Sequence, residues 1–265
     1  MTRARAGIIV ALSLVGTLAV GGLVAPVVTG YLQRMSHPSA PPLTNPAFDR
    51  AQLLGELLAS GFRLGDEAHV RIFKREGVLE LWLKADAAPR FALFKSYPIC
   101  KWSGTLGPKL KEGDRQAPEG FYRVAARQLN PRSRHHLAFN LGFPNALDTE
   151  LGRTGSALMV HGGCSSVGCF AMTDGRIDEI YALVEAALGG GQREVDVAIF
   201  PFRLTDSALA AEAHSPWADF WHNLKRGAEL FDAAGAPPRV GACGGTYRFG
   251  AEADAPGCTP ITGWV

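Results

Sequence analysis

Apolar positions follow three different patterns along the chain. The first is an unbroken run. From Ile8 to Val28 about 21 residues pass without a charge, and Arg3 and Arg5 precede them. A helix of that length, at ~1.5 Å per residue, crosses a ~30 Å hydrocarbon core. The preceding arginines predict that everything after the run lies on the far side of the membrane. Cleavage after Ala25 would leave Leu23 where a small residue is needed and Pro26 just beyond, so an uncleaved anchor is favoured over a cleaved signal. Residues 36–46 are Pro-rich and predict an extended spacer. The second pattern is helical: Leu53, Leu54, Leu57 and Leu58 predict a short helix with one leucine face.

The third pattern begins near residue 68, where the period drops to two. Val70–Phe73 and Leu79–Leu83 read as strands around a turn at Glu76–Gly77. Arg90–Ile99, Phe121–Val124 after the Pro118–Gly120 turn, His135–Leu141, Ser156–Val160 and Glu194–Leu204 are further strands. Two helices interrupt them. One carries Ile177, Ile180, Tyr181, Val184, Ala187 and Leu188, with Thr173 or Asp174 as cap and Gly189–Gly191 as stop. The other carries Phe220, Leu224, Ala228 and Phe231 and stops at Gly235. The expected architecture is mainly β (α+β): an anchor over 1–35, a linker with a short helix over 36–67, a β domain over 68–205, and a tail over 206–265 that packs on it or stands beside it.

Composition adds constraints. The chain has 265 residues, 47% apolar and 20% charged, which describes a globular protein. A net charge of +2 supplies no field for nucleic acid. The short basic clusters, Arg132, Arg134, His135 and His136 and the pair Lys109 and Lys111, read as solvated loops. Five cysteines leave at least one unpaired. Cys243 and Cys258 are close enough to bridge, although pairing cannot be deduced from spacing.

The segment with chemical potential runs from Leu158 to Asp174. An apolar strand ends in His161, a loop of small residues follows, and Cys169 stands just before a helix start. Glycines let a substrate backbone approach closely. A helix N-terminus and a neighbouring imidazole both favour a thiolate, predicting an acidic thiol at Cys169. His161 becomes the base for a Cys169 nucleophile, and the Gly168 and Cys169 N–H groups become an oxyanion hole. Ser165 and Ser166 are candidate substrate-binding residues. Two other readings are weaker. Zinc on His161, Cys164, Cys169 and a distant cysteine lacks the usual ligand spacing. A Cys164–Cys169 disulfide would silence the nucleophile.

The stretch resembles the L,D-transpeptidase catalytic domain of the YkuD-like family. His161-Gly162 and Ser166-Val167-Gly168-Cys169 match its histidine and cysteine motifs, and Ala117-Pro118-Glu119-Gly120-Phe121-Tyr122 looks like its upstream turn and strand. The gap from His161 to Cys169 is only eight positions, and Ala171 stands where the family usually has Arg. Both departures are similar to the YafK-type branch. So are Tyr97–Gly104, Gly107-Pro108-Lys109, Phe139–Asn145 and Phe220–Lys225. The resemblance implies a β-sandwich or barrel core, and a cysteine enzyme that needs no metal or organic cofactor. It implies acyl transfer on peptidoglycan tetrapeptide stems through a Cys169 thioester, with the Gly162 carbonyl orienting His161. An amine of a second stem or of an envelope lipoprotein would resolve the thioester, or water would, making a hydrolase. A non-catalytic scaffold is disfavoured because both reactive residues are present. The implied location is the periplasmic cell envelope, held at the inner membrane through residues 7–28 or released after signal cleavage.

Overall fold

A computed structural model describes residues 47–264. The apolar run over 7–28 and the spacer over 36–46 lie outside the described residues. Among the described residues, no helix is long and apolar enough to cross a membrane.

Helix α1 (Arg50–Ala59) opens the described chain, with Asp49 accepting from the N–H groups of Ala51 and Gln52 at 2.8 and 3.2 Å. Leu53 and Leu57 are buried, whereas Leu54 and Leu58 are exposed. The expected four-leucine face is thus really a two-leucine stripe of i, i+4 partners. Strands β1 (Glu67–Phe73), β2 (Val78–Lys84) and β3 (Ala92–Pro98) follow as antiparallel neighbours, then β4 (Lys101–Trp102) and β5 (Gly120–Ala125). Next come the hairpin β6 (Leu129–Ser133) and β7 (His136–Asn140), the short helix α2 (Ala146–Glu150), and strands β8 (Met159–His161) and β9 (Phe170–Ala171). Helix α3 (Asp174–Gly189) leads to β10 (Glu194–Phe200). The tail holds α4 (Asp206–Ala211), α5 (Ala218–Ala234), β11 (Val240–Cys243), β12 (Thr246–Phe249) and β13 (Thr259–Pro260).

One five-stranded sheet has the order β3-β2-β1-β10-β5, and a second has β4-β9-β8-β7-β6. Each holds one parallel pair, β1 with β10 and β8 with β9, so both are mixed. A single apolar core joins them. Val70, Ile72, Leu79 and Leu81 from the first meet Phe139, Val160 and Phe170 from the second and Ile177, Ile180 and Val184 from α3.

The tail packs on this body. β1 alternates, with Val70 and Ile72 facing the shared core and His69, Arg71 and Phe73 facing the other way. Polar residues at 69 and 71 suggest a solvated face, but helix α5 covers it. The Arg71 guanidinium lies 5.1–5.7 Å from the ring centres of Phe231, Phe73, Phe200 and Trp82 and bonds Asp232 at 2.9 Å. α5 ends at Gly235, whose φ of +69° is the left-handed stop that a glycine allows.

His69 carries a pH consequence. Its Nδ1–H donates to the Asp196 carbonyl at 2.9 Å and its ring packs on Phe231, 4.7 Å between centres. Burial, aided by the Arg71 charge, pushes its pKa down to about 3. The folded protein therefore excludes a proton that the unfolded chain binds below about 6.5. The contribution of neutral His69 is intact above that pH and is lost at up to roughly 1.4 kcal/mol per pH unit on the way to about 3. His69→Asn keeps a donor for Asp196 but does not titrate. Urea midpoints of the two proteins should diverge between pH 7 and 5, the wild type losing more. Parallel curves would refute a buried neutral imidazole.

A second buried network joins the body to the tail. Lys74 and Glu119 have no exposed side-chain surface and pair at 2.9 Å. The ammonium also donates to the carbonyls of Gly107 and Ala117 at 2.9 and 3.0 Å. Glu119 accepts the Gly107 N–H at 2.7 Å and the Trp221 indole N–H of α5 at 2.8 Å.

Candidate active site

The centre of the second sheet is short: β8 has three residues, and β9 two. His161 ends β8, opposite Ala138 of β7 and Ala171 of β9. Cys169 is the residue before β9, which places it beside Met159, on the same face of the sheet as His161. Cys169 and His161 together line a cleft of about 420 Å³, with Ala157, Met159, Asn130 and the hairpin residues Arg132, Ser133, Arg134 and His135.

His161 is held by its successor. Its Nδ1 lies 2.6 Å from the Gly162 carbonyl. A carbonyl only accepts, so Nδ1 carries the proton and Nε2 keeps its lone pair. Gly162 is required by packing, since a Cβ there would fall 2.7 Å from both Asp174 Oδ1 and the His135 carbonyl. The His135 and His161 rings stack at 4.6 Å between centres. Burial first, and the neighbouring His135 next, draw the His161 pKa below its ordinary value, against the pull of the Gly162 carbonyl.

The expectation of an acidic thiol is corrected. α3 begins at Asp174, with β9, Met172 and Thr173 between it and Cys169. Its first-turn side chain is also occupied, because Asp174 Oδ1 accepts the Gly163 N–H at 2.8 Å. Thr173 stands at the cap position without a side-chain capping bond. Desolvation dominates at Cys169 and raises the thiol pKa, opposed in part by the Met159 backbone and the Lys109 charge. The Cys169 Sγ lies 3.6 Å from the Ala157 carbonyl, a partner suited to a protonated thiol. Burial thus disfavours the charged form of both the thiol and the imidazole.

Both N–H groups expected to form the oxyanion hole are occupied by hydroxyls. The Gly168 N–H donates to Ser103 Oγ and the Cys169 N–H to Ser166 Oγ, the latter at 3.1 Å. Ser166 in turn donates to the Cys169 carbonyl at 2.6 Å, and the two hydroxyls lie 3.3 Å apart. Ser166 therefore shapes the cysteine turn and does not line the cleft, while Ser165 is exposed on the loop. Ser103 follows β4, whose Trp102 pairs with Phe170, and this register brings it to the turn. Ser103 lies within a segment quoted above for its resemblance, but only the pairing gives it a role.

The cysteines sort cleanly. Cys243 bridges Cys258, as their proximity allowed. Cys164 bridges Cys100, which rules out both the Cys164–Cys169 bridge and a zinc set that includes Cys164. Cys169 is the free cysteine. The Cys100–Cys164 bond ties the start of the loop to the β3–β4 turn, where the Cys100 N–H donates to the Ala171 carbonyl at 2.8 Å. Closing the 64-residue separation contributes about 2–4 kcal/mol. Of the two basic clusters, only Lys109 departs from a solvated loop. Lys109 is buried, bonded to Asp114 and the Lys111 carbonyl. Arg132 and Arg134 belong to the cleft wall. Ala171 is fully buried beside His161.

Comparison with known proteins places the chain in a family. The L,D-transpeptidase catalytic domain (YkuD) matches residues 91–247, extending into the tail. "Putative L,D-transpeptidase YafK" of Escherichia coli (strain K12) is 46% identical over 184 residues, covering 69% of this chain and 74% of that protein. Among solved structures, a variant of the helical cell shape determining protein Pgp2 of Campylobacter jejuni aligns with a TM-score of 0.42 at 20% identity, over 69% of this chain and 65% of that one. Bd1075 of Bdellovibrio bacteriovorus aligns at 0.37 and 19%, over 64% and 58%. This chain thus spans less than two thirds of either solved structure. On the strength of the domain match and the YafK identity, the chain belongs to the YkuD family of L,D-transpeptidase catalytic domains.

Proposed function

We propose that this chain is a cysteine acyl-transfer enzyme acting on peptidoglycan stem peptides, with Cys169 as nucleophile and His161 as base. The observation that carries the reading is the orientation of His161. Nδ1–H is committed to the Gly162 carbonyl at 2.6 Å, leaving Nε2 to take the thiol proton in a cleft that Cys169 shares. Because both groups rest neutral, the proton moves as sulfur attacks. The scissile amide carbonyl gains a C–S bond, its C–N bond breaks, and imidazolium returns the proton to the leaving amine. The thioester is resolved by an amine, restoring an amide and the thiol, or by water, giving a carboxylate and the thiol.

The oxyanion needs donors when it forms. The Gly168 and Cys169 amides fill that role once Ser103 and Ser166 rotate away, so a substrate carbonyl competes with two hydroxyls for them. The charge-free apolar run over 7–28 supports an envelope location, on the side of the membrane where this substrate lies. Purified peptidoglycan digested with and without the full chain, then profiled for muropeptides, tests the reading. New crosslinks signify an amine acceptor, and trimmed or released stems signify water. An unchanged profile against crosslinked, lipoprotein-bearing and free tetrapeptide walls alike would defeat it.

A further inference from the structure

The cleft that holds Cys169 has an unbalanced wall. Arg132, Arg134 and His135 line it, and no aspartate or glutamate does. Several other arginines are neutralised, as in Arg71–Asp232, Arg123–Asp196 and Arg153–Asp148. Among the described residues, neither Arg132 nor Arg134 has an ion pair. Both are exposed at the tip of the β6–β7 hairpin, where Arg134 and His135 form the turn between Ser133 and His136.

That tip is held in place over the site. The β6–β7 ladder is irregular between Asn130 and Ser133, so Arg132 sits in a bulge, a device that re-aims a side chain. The Arg132 N–H donates to Asn130 Oδ1 at 3.2 Å, and the His135 N–H to Ser133 Oγ at 3.0 Å. His136 anchors the far strand to Asp178 of α3 at 2.6 Å. The turn also packs close to Gly162, where an added Cβ would fall 2.7 Å from the His135 carbonyl. Two arginines without an ion pair thus line the cleft that Cys169 shares. A guanidinium presents paired N–H donors that match a carboxylate.

We propose that Arg132 and Arg134 form a carboxylate-recognition site, which selects an acyl donor bearing a free carboxylate close to the amide that Cys169 attacks. The assignment of an acidic stem peptide as that donor rests on the function proposed above; the recognition of a carboxylate at the cleft does not. Arg132, Arg134 and His135 are solvent-exposed, as expected of a loop, and in addition line the cleft.

Alkylation of Cys169 by iodoacetate, an anion, and by iodoacetamide, its neutral counterpart, reads the site without any substrate. In the full chain at low ionic strength, the ratio of the two rates should fall about tenfold in Arg132→Ala/Arg134→Ala. It should be kept in Arg132→Lys/Arg134→Lys, which preserves the charge. Added salt should lower the wild-type ratio and leave that of the alanine variant flat. With stem peptides, the alanine variant should raise KM about tenfold for a donor with free carboxylates and leave KM for the amidated donor unchanged. A ratio equal in wild type and alanine variant, or a KM change equal for both donors, would overturn the proposal. If the wild type turns over neither donor while the alkylation ratio still falls, carboxylate recognition stands and the stem-peptide reading fails.

Discussion

Cys169→Ser and His161→Ala should each lower turnover of peptidoglycan stems by about 10³-fold or more, with circular dichroism and melting unchanged. Both side chains line the cleft and neither belongs to an apolar core cluster, although His161 is itself buried. The pH dependence is more discriminating. His161 must be neutral to accept the thiol proton, and its pKa lies below the ordinary 6.5. The acid limb of kcat/KM should therefore fall below pH 6.5, with activity sustained into mildly acidic conditions. The thiol is shifted the other way, upward from 9.0. Iodoacetamide labelling of Cys169 should keep rising through pH 9, whereas a pre-formed thiolate would level off below about 7.5. Because the other four cysteines are in disulfides, the label reports Cys169 alone. A plateau at neutral pH would show an ion-paired thiolate and refute the neutral resting pair.

Lys74→Met should destabilise the protein by about 3–5 kcal/mol, because it strands the fully buried Glu119 carboxylate without its cation. At about 2–4 °C per kcal/mol for a domain of this size, the melting temperature should drop by roughly ten degrees. Lys74→Met/Glu119→Gln removes the stranded charge and should recover part of the loss. Calorimetry of the two variants measures the difference. A Lys74→Met protein that melts with the wild type would mean Lys74 contributes nothing to the junction between body and tail. Trp221 makes that junction specific, since its indole N–H reaches the same carboxylate.

Periodicity located most of the body because its elements are long enough to repeat. β1, β2 and β10 have seven residues each, and α3 and α5 have 16 and 17 with glycines at their ends. The tail sheet was missed for the opposite reason. β11 and β12 have four residues and β13 two, too few to show an alternation among glycines. The grouping of Cys169, His161 and Gly162 was legible because they lie within one short stretch. Its partners were not. Ser103 and Cys100 arrive through strand pairing and a bond spanning 64 residues, neither of which leaves a local trace. The same limit explains Arg132 and Arg134: a charged hairpin tip looks the same in sequence whether it meets water or overhangs a nucleophile. The thiol was misjudged because a helix start four or five residues away in sequence was treated as adjacent, although β9 intervenes.

The Cys100–Cys164 bond also bears on how the enzyme matures. Cys169 stands five residues from Cys164, while the native partner is 64 residues away. In an unfolded chain the shorter loop closes more readily, by about 2 kcal/mol of entropy. Oxidation ahead of folding thus favours a bridge that consumes the nucleophile and leaves Cys100 idle. Only after β4 has docked on β9 does Cys100 stand beside Cys164, and the native bond then leaves the reactive sulfur as the odd one out. Order of events, rather than thiol chemistry alone, decides whether Cys169 stays free, and a disulfide isomerase would be expected to rescue chains that bridged too early.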